Sequence, residues 1–149
     1  MNIKILSDST CDLPQEVLEK YNITMIPLSV IKDGKDYTDG VNWILDRFQI
    51  PLILVSMGRE GSRAYYKGNM VEAKPFLQKN TIETTGAGDT FGGCVLHYIL
   101  QHGLEDLSED NLTEMLRFAN AAAALITTRK GALRVMPSRE EVNRVLESI

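Results

Sequence analysis

The chain has 149 residues, 44% of them hydrophobic and 24% charged, with a formal net charge of −4. That length can bury a real core in a single domain, and the acidic balance argues against nucleic acid or an anionic membrane as the main partner. No apolar run approaches the ~20 residues of a membrane span, the N-terminus reads as a strand and not as a leader peptide, and two cysteines are too few for a disulfide framework, so the cytoplasm is the expected compartment.

Residues 2–8 read as a buried strand running into the polar cluster Ser7-Asp8-Ser9-Thr10, which marks its end. Asp12, Pro14 and Gln15 then supply a cap, a first-turn proline and a capping-box partner, with Leu13, Val17, Leu18 and Tyr21 on one helical face. Residues 23–31 read as a second strand, with Pro27 favouring an edge or bulge. Asp33-Gly34 signals a tight turn, after which residues 35–38 are expected to return as a short extended arm.

Residues 42–48 predict a short helix that Pro51 closes off. The unbroken apolar run at residues 52–55 predicts a strand covered on both faces. Residues 63–66 and 70–73 read as a hairpin around Lys67-Gly68-Asn69, followed by a connector over 74–83. Residues 90–102 predict a largely buried helix ended by Gly103, with Cys94 as a buried thiol. Asn111 with Glu114 is a candidate capping box for a helix running to about Arg129, and Ser138 with Glu141 for a last one. The order β-α-β-(α)-β-β-β-α-α-α predicts an α/β fold with helices packed on a mostly parallel central sheet.

The chemistry concentrates at Thr84-Thr85-Gly86-Ala87-Gly88-Asp89-Thr90-Phe91. Two glycines around an alanine allow a tight turn with free N–H groups at a helix start, which is an anion site. Asp89 at its mouth could take a proton from a hydroxyl. The same residues are equally consistent with a plain turn and a helix cap. The alanine run at residues 121–124 admits either a packed helix or a flat ligand ring.

Two resemblances join these elements. Residues 1–41, carried by Lys4-Ile5-Leu6-Ser7-Asp8-Ser9-Thr10, Leu13-Pro14, Tyr21-Asn22-Ile23, the run from Pro27 to Ile31, Gly34-Lys35-Asp36-Tyr37 and Asp39-Gly40-Val41, resemble the start of a DegV-family fatty-acid-binding protein. The pattern stops at residue 41, so fatty-acid binding is the lesser expectation. From about Ile44 to Ile149 the chain resembles the C-terminal part of a ribokinase-like (PfkB) carbohydrate kinase of fructokinase type. The carrying residues are Leu54-Val55-Ser56-Met57-Gly58-Arg59-Glu60-Gly61-Ser62, the run from Thr84 to Phe91, Phe118-Ala119-Asn120 with the alanines after it, Gly131-Ala132 and Met136-Pro137-Ser138. The expected architecture is thus a ribokinase-like C-terminal half completed by a DegV-like β-α-β unit in one domain, a hybrid chain.

The kinase resemblance implies the roles. Gly86, Ala87 and Gly88 would give the anion hole for the transferring phosphoryl group, and Asp89 the base for a sugar hydroxyl. Ser56, Gly58 and Gly61 would border the nucleotide phosphates and ribose, and Asn120 and Ala123 the adenine. Glu83, Thr85 and Gly131 would lie where relatives hold a monovalent cation, although relatives commonly have Asp at the Glu83 position. ATP or ADP with Mg2+ is the implied cofactor set. The family's sugar-binding part, lid and Asn/Glu magnesium motif would precede residue 44, so the expectation is nucleotide binding with weak or lost transfer. The alternative is a fold with no ligand. Exposed apolar surface and an unpaired sheet edge predict a homodimer.

Overall fold

A computed structural model describes residues 6–8, 14–20, 24–26 and 37–148. The chain divides into two compact units, Met1–Asp36 and Tyr37–Ile149. In the first, strands β1 (Leu6–Asp8) and β2 (Thr24–Ile26) pair in parallel, with helix α1 (Gln15–Lys20) between them in sequence. The Asp12 cap and the Asp33-Gly34 turn lie outside the described residues.

The second unit opens with helix α2 (Tyr37–Phe48). Tyr37 and Thr38 belong to this helix and not to a returning extended arm. Strands β3 (Leu52–Ser56), β4 (Ser62–Tyr66) and β5 (Asn69–Ala73) follow as an antiparallel sheet in sequential order. The expectation of a mostly parallel sheet is corrected here: among the described residues the parallel pairing is confined to β1 and β2. The reason is local. Lys67 (φ 48°) and Gly68 (φ 84°) make a two-residue turn with both φ positive, the turn type that matches strand twist and forces a hairpin.

β3 is correspondingly an edge strand among the described residues and only half buried, not covered on both faces. β4 is the central strand, and its alternate residues serve two layers. Ala64 and Tyr66 join the main core, while the Tyr65 hydroxyl lies 3.5 Å from Thr38 Oγ1 of α2 on the other face.

Helices α3 (Ala87–His102), α4 (Glu109–Ile126) and α5 (Arg139–Glu147) complete the unit. α3 and α4 pack together, and α4 lies on β4 and β5. Phe91 and Val95 of α3 meet Leu112, Met115, Leu116 and Ala119 of α4 over Ala64 and Tyr66. α3 is less covered than its composition predicts. Leu96 is 63% and Leu100 85% exposed, because one face alone meets α4. Cys94 is half buried, and burial pushes its thiol pKa up. Gly103 (φ 82°) stops the helix, its N–H donating to Ile99 O at 2.8 Å.

The α4 capping box falls three residues earlier than the sequence suggested. Ser108 is the cap: Asn111 N donates to Ser108 Oγ (3.1 Å) and Ser108 N to Asn111 Oδ1 (3.0 Å). Glu109 and Asp110 then occupy the first turn, where the helix dipole favours carboxylates. The Ser138–Glu141 box of α5 forms as expected. The Tyr66 hydroxyl reaches the carbonyls of Leu104 and Glu105 (2.7 and 2.6 Å), tying the hairpin to the α3–α4 loop.

Candidate functional site

A cleft of ≈ 250 Å³ opens where four pieces of the second unit converge: the β3–β4 turn, the connector after β5, the start of α3 and the last turns of α4. Each wall has a local cause. Gly58–Glu60 is a single 3-10 turn, closed by Gly61 N donating to Gly58 O (3.3 Å) and Met57 N donating to Gly61 O (2.8 Å). Gly61 sits at φ 100°, and a Cβ there would meet Ala73 O at 2.2 Å. Only glycine lets the turn lie against the end of β5. Across the cleft, Asn120 Nδ2 donates to Ala73 O (3.2 Å) and Lys74 O (3.1 Å), pinning the same strand end to α4.

The connector supplies the floor. Phe76 is buried, with the Arg117 guanidinium 5.7 Å from its ring centroid. Leu77 is 68% exposed at the rim. Ala123 and Ala124 are small enough to leave room above Phe76.

The fourth wall is the N-terminus of α3. Gly86 caps it in the left-handed region (φ 83°), and its carbonyl accepts from Thr90 N (2.9 Å) and Thr90 Oγ1 (2.8 Å). Ala87 N donates to Thr84 O at 3.2 Å. Gly88 and Asp89 come next, where helix geometry provides no acceptor for the amide. No side chain caps this end, in contrast to the serines that cap α4 and α5. Arg59 is the one ionisable side chain lining the cleft among the described residues. A guanidinium and a bare helix start together favour an anion.

Of the residues singled out in the sequence, Ser56, Gly58, Gly61, Ala87, Gly88, Asn120 and Ala123 line this cleft. Gly86 and Asp89 belong to the same helix start but do not line it, and Asp89 is exposed. Two expected contacts are already engaged internally: the Ala87 amide by Thr84, and the Asn120 amide nitrogen by β5 and Lys74. Glu83, Thr85 and Gly131 lie on two strips of chain that run side by side. Ile82 N and Glu83 N donate to Thr127 O (2.8 and 3.1 Å), and the Cα of Gly86 faces Ala132. Gly131 O accepts from Arg134 N (3.1 Å). Among the described residues no three His, Cys, Asp or Glu side chains cluster as a metal site.

Sequence reasoning missed Phe76, Leu77, Gln78 and Thr81, all assigned to a plain connector, and it missed Thr127. The signal available was Pro75-Phe76-Leu77, an apolar island between lysines.

The model of the pfkB family of carbohydrate kinases matches residues 24–139. The chain belongs to that family. Among its pfkB relatives, fructokinase-1 of Zea mays is 37% identical over 125 residues, 84% of this chain and 38% of the maize protein. The fructokinase of Klebsiella pneumoniae is 33% identical over 124 residues, 80% and 38% of the two chains. In the solved structures, fructokinase of Vibrio cholerae O395 with fructose, ADP and calcium superposes with a TM-score of 0.65 at 29% identity, over 75% of this chain and 35% of that one. Arabidopsis thaliana ribokinase with ribose and ATP gives 0.70 at 25% identity, over 97% and 48%. The chain thus spans about two fifths of the length of the curated pfkB relatives it matches. The family match begins at residue 24, within the stretch 1–41 expected to be DegV-like and well before the expected boundary near residue 44.

Proposed function

We propose that the cleft binds an adenine nucleotide, ATP or ADP, with its phosphates at the start of α3. The observation that carries this reading is the uncapped helix start opening into a cleft whose lining, among the described residues, includes one guanidinium and no carboxylate. The Gly88 amide and the helix dipole would hold a phosphate. Ser56, Gly58 and Gly61 would border the ribose and phosphates, Arg59 would pair with a phosphate oxygen, and Ala123 with Phe76 would take the flat ring. Relatives solved with ADP and with ATP support the choice of nucleotide.

Phosphoryl transfer is mainly positioning and charge stabilisation. Asp89, exposed beside the amides, is the proposed base for a sugar hydroxyl. Mg2+ would be an ion held largely by phosphate oxygens and one or two carboxylates. The Gly131 carbonyl, already accepting one amide, has a lone pair left for a monovalent cation shared with Glu83 and Thr85. We take nucleotide binding, with weak transfer, as the proposed activity of this chain.

The competing reading is a fold with no ligand. It is favoured by the internal engagement of the Ala87 amide and the Asn120 side chain. Calorimetric titration with ADP and ATP separates the two: saturable heat at micromolar to millimolar nucleotide supports binding, and a folded protein giving none supports the ligand-free fold. A coupled ADP-release assay over a sugar panel tests Asp89. Any turnover is expected to vanish in Asp89→Ala while ADP binding persists; undiminished turnover would remove Asp89 from the base role.

A further inference from the structure

We infer that Arg129 and Glu141 form a positioning pair for the phosphate-binding turn at Gly86, acting through the loop that joins α4 to α5. The inference rests on the nucleotide reading above and goes further, to what holds the anion site in shape.

The path can be followed residue by residue. Gly86 has no side chain, and on the side where a Cβ would project stand Ala132 (Cβ at 3.5 Å) and Ile126 (Cδ1 at 3.6 Å). Ala132 is thus the wall behind the turn that aims the α3 amides. It is itself held in an unfavourable shape: Gly131 has φ 133° and Ala132 φ 45°. A non-glycine residue in the left-handed region costs about 1 kcal/mol and persists only where its surroundings fix it.

What fixes it is the Arg129 side chain. Arg129 Nη1 donates to Val135 O (3.2 Å), on the far side of the 131–134 bend, and closes the loop on itself. Its guanidinium also meets the Glu141 carboxylate at two points, through Nη1 and Nη2. Glu141 in turn accepts from Ser138 N (2.8 Å), where the loop enters α5. The fork of the guanidinium serves a carbonyl and a carboxylate together, which a lysine ammonium on a flexible stem does not reproduce. Neither residue of the pair lines the cleft. Its effect therefore passes through Ala132 to Gly86 and the helix start.

Two measurements on Arg129→Met, Arg129→Lys and Glu141→Gln test this. Glu141→Gln keeps an acceptor for Ser138 N, so the α5 cap survives while the charge is lost. The first measurement needs no ligand: hydrogen exchange of the Thr90 amide, which donates to Gly86 O, and of the amides in residues 130–136. Faster exchange there, with α4 core amides at Met115 and Leu116 unchanged, is the expected result. The second compares ADP with adenosine by calorimetry. Arg129→Met is expected to weaken ADP by about tenfold, with adenosine unaffected and Arg129→Lys intermediate. Unchanged Thr90 exchange overturns the inference, and so does equal loss of ADP and adenosine, the mark of general destabilisation. A wild-type protein that fails to bind ADP, but whose Thr90 exchange responds to the variants, overturns the nucleotide reading and leaves the coupling standing.

Discussion

At the residue scale, one carbonyl organises the cleft. Ala73 O accepts from Asn120 and abuts the Cα of Gly61, so it joins the β3–β4 turn, the end of β5 and α4. Gly61→Ala drives a methyl into that oxygen from a backbone already at φ 100°. It is expected to cost roughly 1–3 kcal/mol in urea denaturation. Gly58→Ala meets open space and retains only the cost of its positive φ, so it is the milder of the two. Glu141 makes a second prediction. The Arg129 guanidinium and the Ser138 amide hold its pKa below the ordinary value of 4.5. The folded state then binds fewer protons than the unfolded one in that window, so stability rises with pH through it. The contribution is fully present above pH 4.5 and lost as pH falls through the depressed value. Melting curves of wild type and Glu141→Gln should differ most near neutrality and converge on acidification.

At the scale of elements, the helices divide by how they begin. α4 and α5 start at serines that satisfy their first amides, whereas α3 starts at a bare glycine. Ser108→Ala is expected to lose about 1 kcal/mol, read as a lower melting temperature with the α3 cleft intact. Replacing Gly86 by serine adds no comparable gain, because the left-handed backbone places a side chain against Ala132. Much of this was legible in the sequence. The hairpin, the Gly103 stop and the Ser138 cap follow from turn and cap chemistry, whereas α3 begins at Ala87, three residues before the start expected at Thr90, and without a side-chain cap. The α4 cap was misplaced because Ser108 and Asn111 both suit an N-cap, and packing of Leu112 decides between them. The place of β3 was illegible for a different reason: four apolar residues at 52–55 suit either a central or an edge strand.

At the scale of the molecule, the candidate site was legible as motifs and less so as contacts. Spacing cannot reveal that the Ala87 amide and the Asn120 side chain are engaged within the fold, nor that Phe76 rises from a connector to floor the cleft. The Ala87 bond to Thr84 is a local turn, whereas the Asn120 bonds come from long-range packing of α4 on the end of β5. Membership of the pfkB family accounts for the order of the motifs. The central claim, that this cleft takes an adenine nucleotide with its phosphates on α3, is tested most directly by titrating ADP into the 15N-labelled protein and following amide resonances. The account predicts that Gly88, Gly58 and Ala123 shift together along one saturating curve. Absence of saturable shifts at these three, or saturable shifts confined to the far side of α3 around Cys94 and His97, would contradict it.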